Sequence, residues 1–133
     1  MNDCIFCKII RGELPSKTIY EDDLIKIIMN IEPATNGHLL VLPKEHYLNI
    51  FDINEEIINH SFKIIRDTIY PLLKAKLGCQ GLTLSQNNLL GQTVPHFHIH
   101  ITPRYEGDLL EFEYNKDALS PLDDIYTKLQ KNN

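Results

Sequence analysis

The chain of 133 residues has few cysteines and no long apolar run. Its 3 cysteines are an odd number, and two of them form a Cys4-x-x-Cys7 pair. This usage argues against a secreted disulfide scaffold and favours a reducing compartment. No apolar stretch approaches the roughly 20 residues that a membrane-spanning helix needs. The opening residues lack the apolar core of a secretion signal, so we expect a cytoplasmic protein.

Positive charge is also scarce in this sequence. The formal net charge is −5, from 13 Lys and Arg against 18 Asp and Glu. This balance excludes a basic nucleic-acid-binding stripe, and we expect neither a nucleic-acid partner nor a membrane partner. A phosphate-bearing ligand would gain no long-range attraction, so it would depend on local donors such as backbone N–H groups, neutral amides and imidazoles.

The pattern of apolar residues predicts an α+β fold with a largely antiparallel five-stranded sheet. Five short strand patterns are present, at residues 18–20, 24–29, 38–42, 82–85 and 96–102. One long helical pattern runs over residues 54–77, and Pro71 should kink or split it because proline removes a backbone donor. Short helices are expected near both ends of the chain. No repeat or linker is visible, so we expect one domain over residues 1–133.

The most informative segment is His96-Phe97-His98-Ile99-His100-Ile101. Because a strand sends successive side chains to opposite faces, the histidines line one face and the apolar residues anchor the other. Half of the chain's 6 histidines lie here. Histidine serves in proton transfer, nucleophilic attack and metal binding. The alternative interpretation is a solvated strand face that is rich in histidine.

A polar loop, Gln86–Pro95, leads directly into the histidine segment. It offers four side-chain amides, a hydroxyl and a glycine. Gly91 allows backbone N–H groups to come close to a bound anion, and the amides suit a sugar or a phosphate. Taken alone, the loop would be interpreted as an ordinary polar turn, but the adjacent histidines favour a ligand-binding role.

The combined motif resembles the histidine triad (HIT) superfamily of nucleotide-binding proteins, in its phosphoramidase-like, HINT-type branch. The run Gly91-Gln92-Thr93-Val94-Pro95-His96 and the histidines after it carry the resemblance, and segments 4–16 and 37–46 extend it over residues 3–105. Residues 109–133 carry no recognisable motif. The resemblance implies a HIT-like fold, a symmetric homodimer, and cleavage at the α-phosphorus of purine nucleoside phosphoramidates or related adenylylated compounds.

The resemblance also implies roles for individual residues. His98 would attack phosphorus and form a covalent nucleotidyl-histidine. Three further histidines would support catalysis, namely His100, His96 and His38. The substrate-binding residues would be Asn30, Ile31, Asn87, Gly91, Gln92 and Thr93. A backbone carbonyl and His38 both remain candidates for the group that sets the His98 tautomer, and His38 taken alone would be a buried, satisfied strand residue.

The Cys4-x-x-Cys7 pair is a half-site for tetrahedral zinc, and two histidines complete a Cys₂His₂ set. The resemblance implies that His46 and His96 are those histidines. It also implies that the zinc is structural and that catalysis needs no cofactor. Two buried small side chains are the alternative, whereas thioredoxin-like redox chemistry lacks its βαβ context.

Two alternative functions are compatible with the same residues, and the spacing of the histidines argues against a third. One is hydrolysis of dinucleoside polyphosphates, and another is nucleotide binding with little catalysis. The third places a catalytic zinc ion on all three histidines of the strand. The outer two would lie roughly 13 Å apart, too far to share one ion with bonds of about 2 Å.

Overall fold

The computed structural model describes residues 3–130, and one five-stranded sheet organises them. The strands are β1 (Thr18–Glu21), β2 (Ile25–Met29), β3 (Leu39–Pro43), β4 (Gly81–Ser85) and β5 (Ile99–Arg104). They are ordered β1-β2-β3-β5-β4, and all neighbouring pairs are antiparallel. The helices are α1 (Ile5–Ile10), α2 (Glu55–Ile64), α3 (Tyr70–Leu77), a 3₁₀ turn (Lys116–Ala118) and α4 (Leu122–Leu129). The predicted α+β class and sheet are confirmed.

The predicted long helix is present but divided. A π-helical turn over Ile65–Ile69 joins α2 to α3, and Pro71 lies in the first turn of α3. The wider π turn accommodates the carbonyl that proline leaves without a donor. The spacing of the backbone hydrogen bonds therefore changes at this point, and the helix continues. Asn54 caps the start of α2, and Gly78 ends α3 in the left-handed conformation at φ 69°.

Each face of the sheet has its own apolar core. On one face, α2, the π turn and α3 pack against Phe97, Ile99 and Ile101. On the other face, α1 covers β2 and β3, with Phe6 packed beside Leu40. The helices therefore take the apolar side of the histidine segment, and the histidines face α1.

The histidine segment enters the sheet later than predicted. The strand β5 begins at Ile99, so the first two histidines precede the paired ladder. The reason is a competing bond, because the Phe97 N–H donates to the Tyr47 carbonyl at 2.7 Å, outside the sheet. The alternation still holds, since Phe97 lies in the helix-side core while His98 packs against Phe6 of α1.

The tail after β5 lies outside both cores. Residues 109–130 are exposed apart from a half-buried Leu110, and they include the apolar Leu109 and Phe112. Arg104 anchors the start of the tail by donating to both Asp108 carboxylate oxygens, at 2.8 and 3.0 Å. Neither α4 nor any other helix within residues 3–130 has the length and apolar composition to cross a bilayer.

Candidate active site and metal site

One ring nitrogen of His98 is hydrogen-bonded, and the other has no hydrogen-bond partner within residues 3–130. Its Nδ1 lies 2.7 Å from the His96 carbonyl oxygen, which can only accept, so Nδ1 carries the proton and Nε2 keeps its lone pair. Burial lowers the pKa of His98, although the bond to the carbonyl opposes this effect. The ring is therefore neutral at neutral pH. Of the two candidates for setting the tautomer, the backbone carbonyl does so and His38 does not.

A second chain of hydrogen bonds orients His100. The Ala34 N–H donates to His38 Nδ1 at 3.0 Å, so neutral His38 carries its proton on Nε2. That Nε2 lies 3.0 Å from His100 Nδ1, which must accept. The remaining proton of His100 is consequently on Nε2, where it can be donated to a ligand. Burial, with His98 and His38 close by, lowers the pKa of His100 to about 4.

His98 and His100 line a cleft of about 470 Å³ beside α1. Thr93, Asn30 and Ile31 line the same cleft, so the structure brings these predicted residues together. Its volume lies within the range of about 300–1,000 Å³ that is typical of small-molecule sites. Ile31 is 95% exposed and offers an apolar surface at the rim, where a planar base can pack.

Three predicted substrate-binding residues lie outside this cleft. Asn87 lines a second cleft on the other side of His100. The Gln92 amide donates to two backbone carbonyls, at 2.6 and 3.1 Å, and so holds its own loop. Gly91 adopts φ 93° in that loop, a conformation that favours glycine. The loop in turn places Thr93 at the cleft.

The four predicted metal ligands come together at one end of the histidine segment. The ligand atoms of Cys4, Cys7, His46 and His96 all lie within 4.8 Å of one another. Cys4 Sγ is 3.4 Å from His96 Nδ1, and Cys7 Sγ is 3.2 Å from His46 Nδ1. Neighbouring ligands of tetrahedral zinc lie roughly 3.4–3.8 Å apart, as its bond lengths require. The residues present therefore fit a zinc ion.

His96 belongs to this cluster and not to the cleft. Its side chain is completely buried, and its Nε2 lies 3.0 Å from the Pro43 carbonyl oxygen. That bond leaves Nδ1 as the acceptor nitrogen, directed at the cysteines and His46. With both nitrogens engaged, the ring has none left for a substrate, so the predicted catalytic role of His96 has no contact to support it.

Two contributors to the site escaped the sequence analysis. Phe6 packs edge-on against His96 and His98, with ring centroids 5.9 and 5.0 Å apart. Its position between Cys4 and Cys7 could have predicted that Phe6 lies beside the histidines. The Ala34 N–H, which sets the His38 tautomer, acts through the backbone, and such a role leaves no mark on the residue type.

Comparison with known proteins identifies the family of this chain. The HIT domain family model matches residues 11–107. This chain belongs to the HIT family. It is 37% identical to an uncharacterized HIT-like protein of Methanocaldococcus jannaschii, over 96% of this chain and 98% of that protein. It is 39% identical to the adenylylsulfatase HINT3 of Arabidopsis thaliana, over 82% of this chain and 56% of that protein.

Solved structures of HIT proteins share the fold. A HIT family protein from Bacillus anthracis superposes with a TM-score of 0.80 at 34% identity, covering 96% of this chain and 92% of that one. A zinc-bound histidine triad family protein from Mycobacterium smegmatis superposes with a TM-score of 0.78 at 34% identity, covering 87% and 85%. These similarities confirm the predicted HIT-like fold.

The low pKa of His100 predicts a loss of stability in acid. Its pKa is 6.5 ordinarily and about 4 in the folded protein, so the unfolded chain binds this proton first. The free energy of unfolding should therefore fall as the pH decreases from 6.5 to about 4, and level off below. In His100→Gln, about 1–3 kcal/mol of that dependence should disappear, as measured by urea unfolding across this range. An unchanged pH dependence would contradict the assignment.

Proposed function

We propose that the protein is a nucleotide hydrolase or transferase, a single HIT domain that cleaves purine nucleoside phosphoramidates and related adenylylated compounds at the α-phosphorus. The observation that carries this proposal is the His98 ring, with Nδ1–H bound to a carbonyl and Nε2 free beside a cleft. A neutral imidazole with a fixed tautomer is a nucleophile at neutral pH. The similarity to an adenylylsulfatase supports attack on an adenylyl phosphorus.

The first step forms a covalent intermediate. The Nε2 lone pair of His98 attacks the α-phosphorus, and the bond from phosphorus to the leaving nitrogen breaks. The departing nitrogen takes a proton from water, which leaves hydroxide, and the His100 Nε2–H donates a hydrogen bond to that nitrogen as the bond breaks. The nucleotidyl-His98 ring then carries a positive charge, which its Nδ1–H bond to the His96 carbonyl stabilises.

The second step returns the enzyme to its starting state. Water attacks the phosphorus, the bond from phosphorus to His98 Nε2 breaks, and the proton released by the water neutralises the hydroxide left by the first step. The products of both steps are one amine and one mononucleotide. His38 acts as a positioning residue here, because its Nε2–H bond keeps His100 Nδ1 as an acceptor throughout.

The cleft residues divide between the base, the ribose and the phosphate. We assign Ile31 to the base, Asn30 to the ribose hydroxyls and the Thr93 hydroxyl to a phosphate oxygen, because all three line the cleft with His98. Gly91 and Gln92 then act by shaping the loop that carries Thr93. Asn87 faces the leaving-group side of His100.

The cysteine–histidine cluster is proposed to hold a structural zinc ion, with Cys4, Cys7, His46 and His96 as its ligands. A zinc-bound HIT relative from Mycobacterium smegmatis supports this proposal. The cysteines are free thiols, which a reducing cytoplasmic compartment would preserve for metal binding. When bound, the ion supplies a cross-link between α1 and the segment before β5.

A homodimer is proposed on the exposed surface beside β4. This strand is an edge of the sheet, and its backbone can pair with another strand. An apolar groove of about 600 Å³ runs between α2 and β4, and the half-exposed Phe62 and Leu84 line it. Self-pairing of such a surface buries apolar area symmetrically in both copies.

Replacing the nucleophile should abolish turnover. His98→Ala or His98→Gly should lower the turnover of an adenosine phosphoramidate by a factor on the order of 10³ or more, while the fold is retained. Acid quenching of the wild type should trap a chain heavier by one nucleotidyl group. The control is His60→Gln, since His60 lies on α2 and bonds Asp22 at 2.6 Å, outside the cleft.

Other outcomes would select among the alternatives. Unchanged turnover in His98→Ala would remove the nucleophile assignment. Tight nucleotide binding without turnover or a trapped adduct would favour a binding module. Faster cleavage of dinucleoside polyphosphates than of phosphoramidates would favour a polyphosphate hydrolase.

Removal of one metal ligand should release the zinc ion. The wild type should contain about one zinc per chain by elemental analysis, and Cys4→Ser should contain much less. Because bound metal stabilises the folded state, Cys4→Ser or a chelator should lower Tm by about 5 °C or more. The matched control is Cys79→Ala, since Cys79 lies in the helix-side core. Equal zinc content in wild type and Cys4→Ser would refute the site.

A charge in the apolar groove should dissociate the dimer. Phe62→Glu places a carboxylate in the groove, so its mass by light scattering should fall to the 15.4 kDa of one chain. The control is Ile19→Glu, which introduces the same charge at an exposed position of β1, the opposite edge of the sheet. A monomeric wild type, or a Phe62→Glu dimer, would count against this interface.

A further inference from the structure

A second cleft lies beside His100. It has a volume of about 420 Å³, and its lining includes Thr83 and Thr102 of the sheet with Glu111 and Phe112 of the tail. Among the described residues, His100 alone lines both this cleft and the first cleft, which lies beside α1 and is proposed to hold the nucleotide. We propose that the second cleft holds the leaving group, and that Glu111 makes it select leaving groups that carry a positive charge. This inference rests on the proposed function.

The position of His100 assigns the leaving group to this cleft. In phosphoryl displacement, the attacking and leaving atoms lie roughly in line on opposite sides of phosphorus. His98, the attacking residue, lines only the first cleft. His100, the hydrogen-bond donor to the leaving atom, lines both. A substituent on the leaving atom therefore extends past His100 into the second cleft.

The floor of the second cleft carries hydroxyl groups and one cationic side chain, Arg104, which already forms an ion pair with Asp108. Thr83 and Thr102 face each other across β4 and β5 and present hydroxyl groups. Arg104 is the one lysine or arginine that lines the cleft within residues 3–130. Its guanidinium donates to both Asp108 carboxylate oxygens and to the Thr83 hydroxyl. The Asp108 charge thus offsets the Arg104 charge, and a sulfate or polyphosphate group gains little from it.

The tail side of the cleft adds negative charge. Glu111 has no hydrogen bond or ion pair within the described part of the chain, so its charge is available to a ligand. Phe112 is 90% exposed beside it and offers an aromatic face. A carboxylate and an aromatic face both attract an ammonium group. The Leu110 carbonyl accepts from Arg104 at 3.1 Å, which holds the preceding residue of the tail in place.

Three matched adenosine phosphoramidates test this selectivity. Their leaving amines have the same chain length and end in an ammonium, a methyl or a carboxylate group. In the wild type, kcat/KM should decrease in that order, and the differences should shrink at high salt. Glu111→Gln should reduce the preference for the ammonium probe over the methyl probe by about 3- to 5-fold. Glu111→Lys should favour the carboxylate probe.

Different results would contradict the charge selectivity and the proposed function, and a control variant tests the role of position 111. Glu113→Gln removes a tail carboxylate that does not line the cleft, so its preferences should equal those of the wild type. Identical preferences in wild type, Glu111→Gln and Glu111→Lys would overturn the inference. The proposed function fails instead if His98→Ala cleaves all probes as fast as the wild type. If no probe is cleaved, dissociation constants of their P–CH₂ analogues provide the same ratios.

Discussion

The candidate active site depends on one hydrogen bond, from His98 Nδ1 to the His96 carbonyl oxygen at 2.7 Å. This bond fixes the tautomer and leaves Nε2 as the free nitrogen beside the cleft. The His96 carbonyl is held in place in turn, because that residue's side chain is completely buried and bonds the Pro43 carbonyl. A residue without contact to the cleft therefore determines which atom the cleft residue presents.

The same buried histidine joins the active site to the cysteine cluster. The nitrogen that faces Cys4 and Cys7 belongs to the ring whose backbone carbonyl holds His98. Phe6, between the two cysteines, packs on His98 from α1. A zinc ion bound there would therefore stabilise both the backbone acceptor and the aromatic neighbour of the proposed nucleophile. Metal loss would thus weaken positioning in the active site as well as folding.

The charge selection proposed for this protein rests on local groups. With a net charge of −5, the chain attracts no phosphate from a distance. The donors proposed for the cleft are accordingly neutral, namely the His100 N–H and the Thr93 hydroxyl, and they would bind an oxyanion without a surrounding positive field. The two halves of this sheet face are covered differently, by apolar α1 over β2 and β3 and by an exposed, acidic tail over β4 and β5. The proposed leaving-group selection would therefore change without altering the cleft that His98 lines.

The sequence by itself determined the α+β class, the five strands, the division between apolar and histidine faces and the Cys4-x-x-Cys7 half of the cysteine–histidine cluster. These features follow from alternation, turn residues and ligand spacing, which are local properties of a chain. Tertiary structure alone decided where β5 begins, where the Gln92 amide points and which tautomers the histidines adopt. The Phe97 N–H bonds the Tyr47 carbonyl and so delays β5, and Gln92 turns its amide into the loop. The tautomers of His98 and His100 follow from backbone and side-chain partners that only the folded chain brings within 3 Å. Such contacts join segments that are distant in sequence or act through the backbone, where residue type carries no signal.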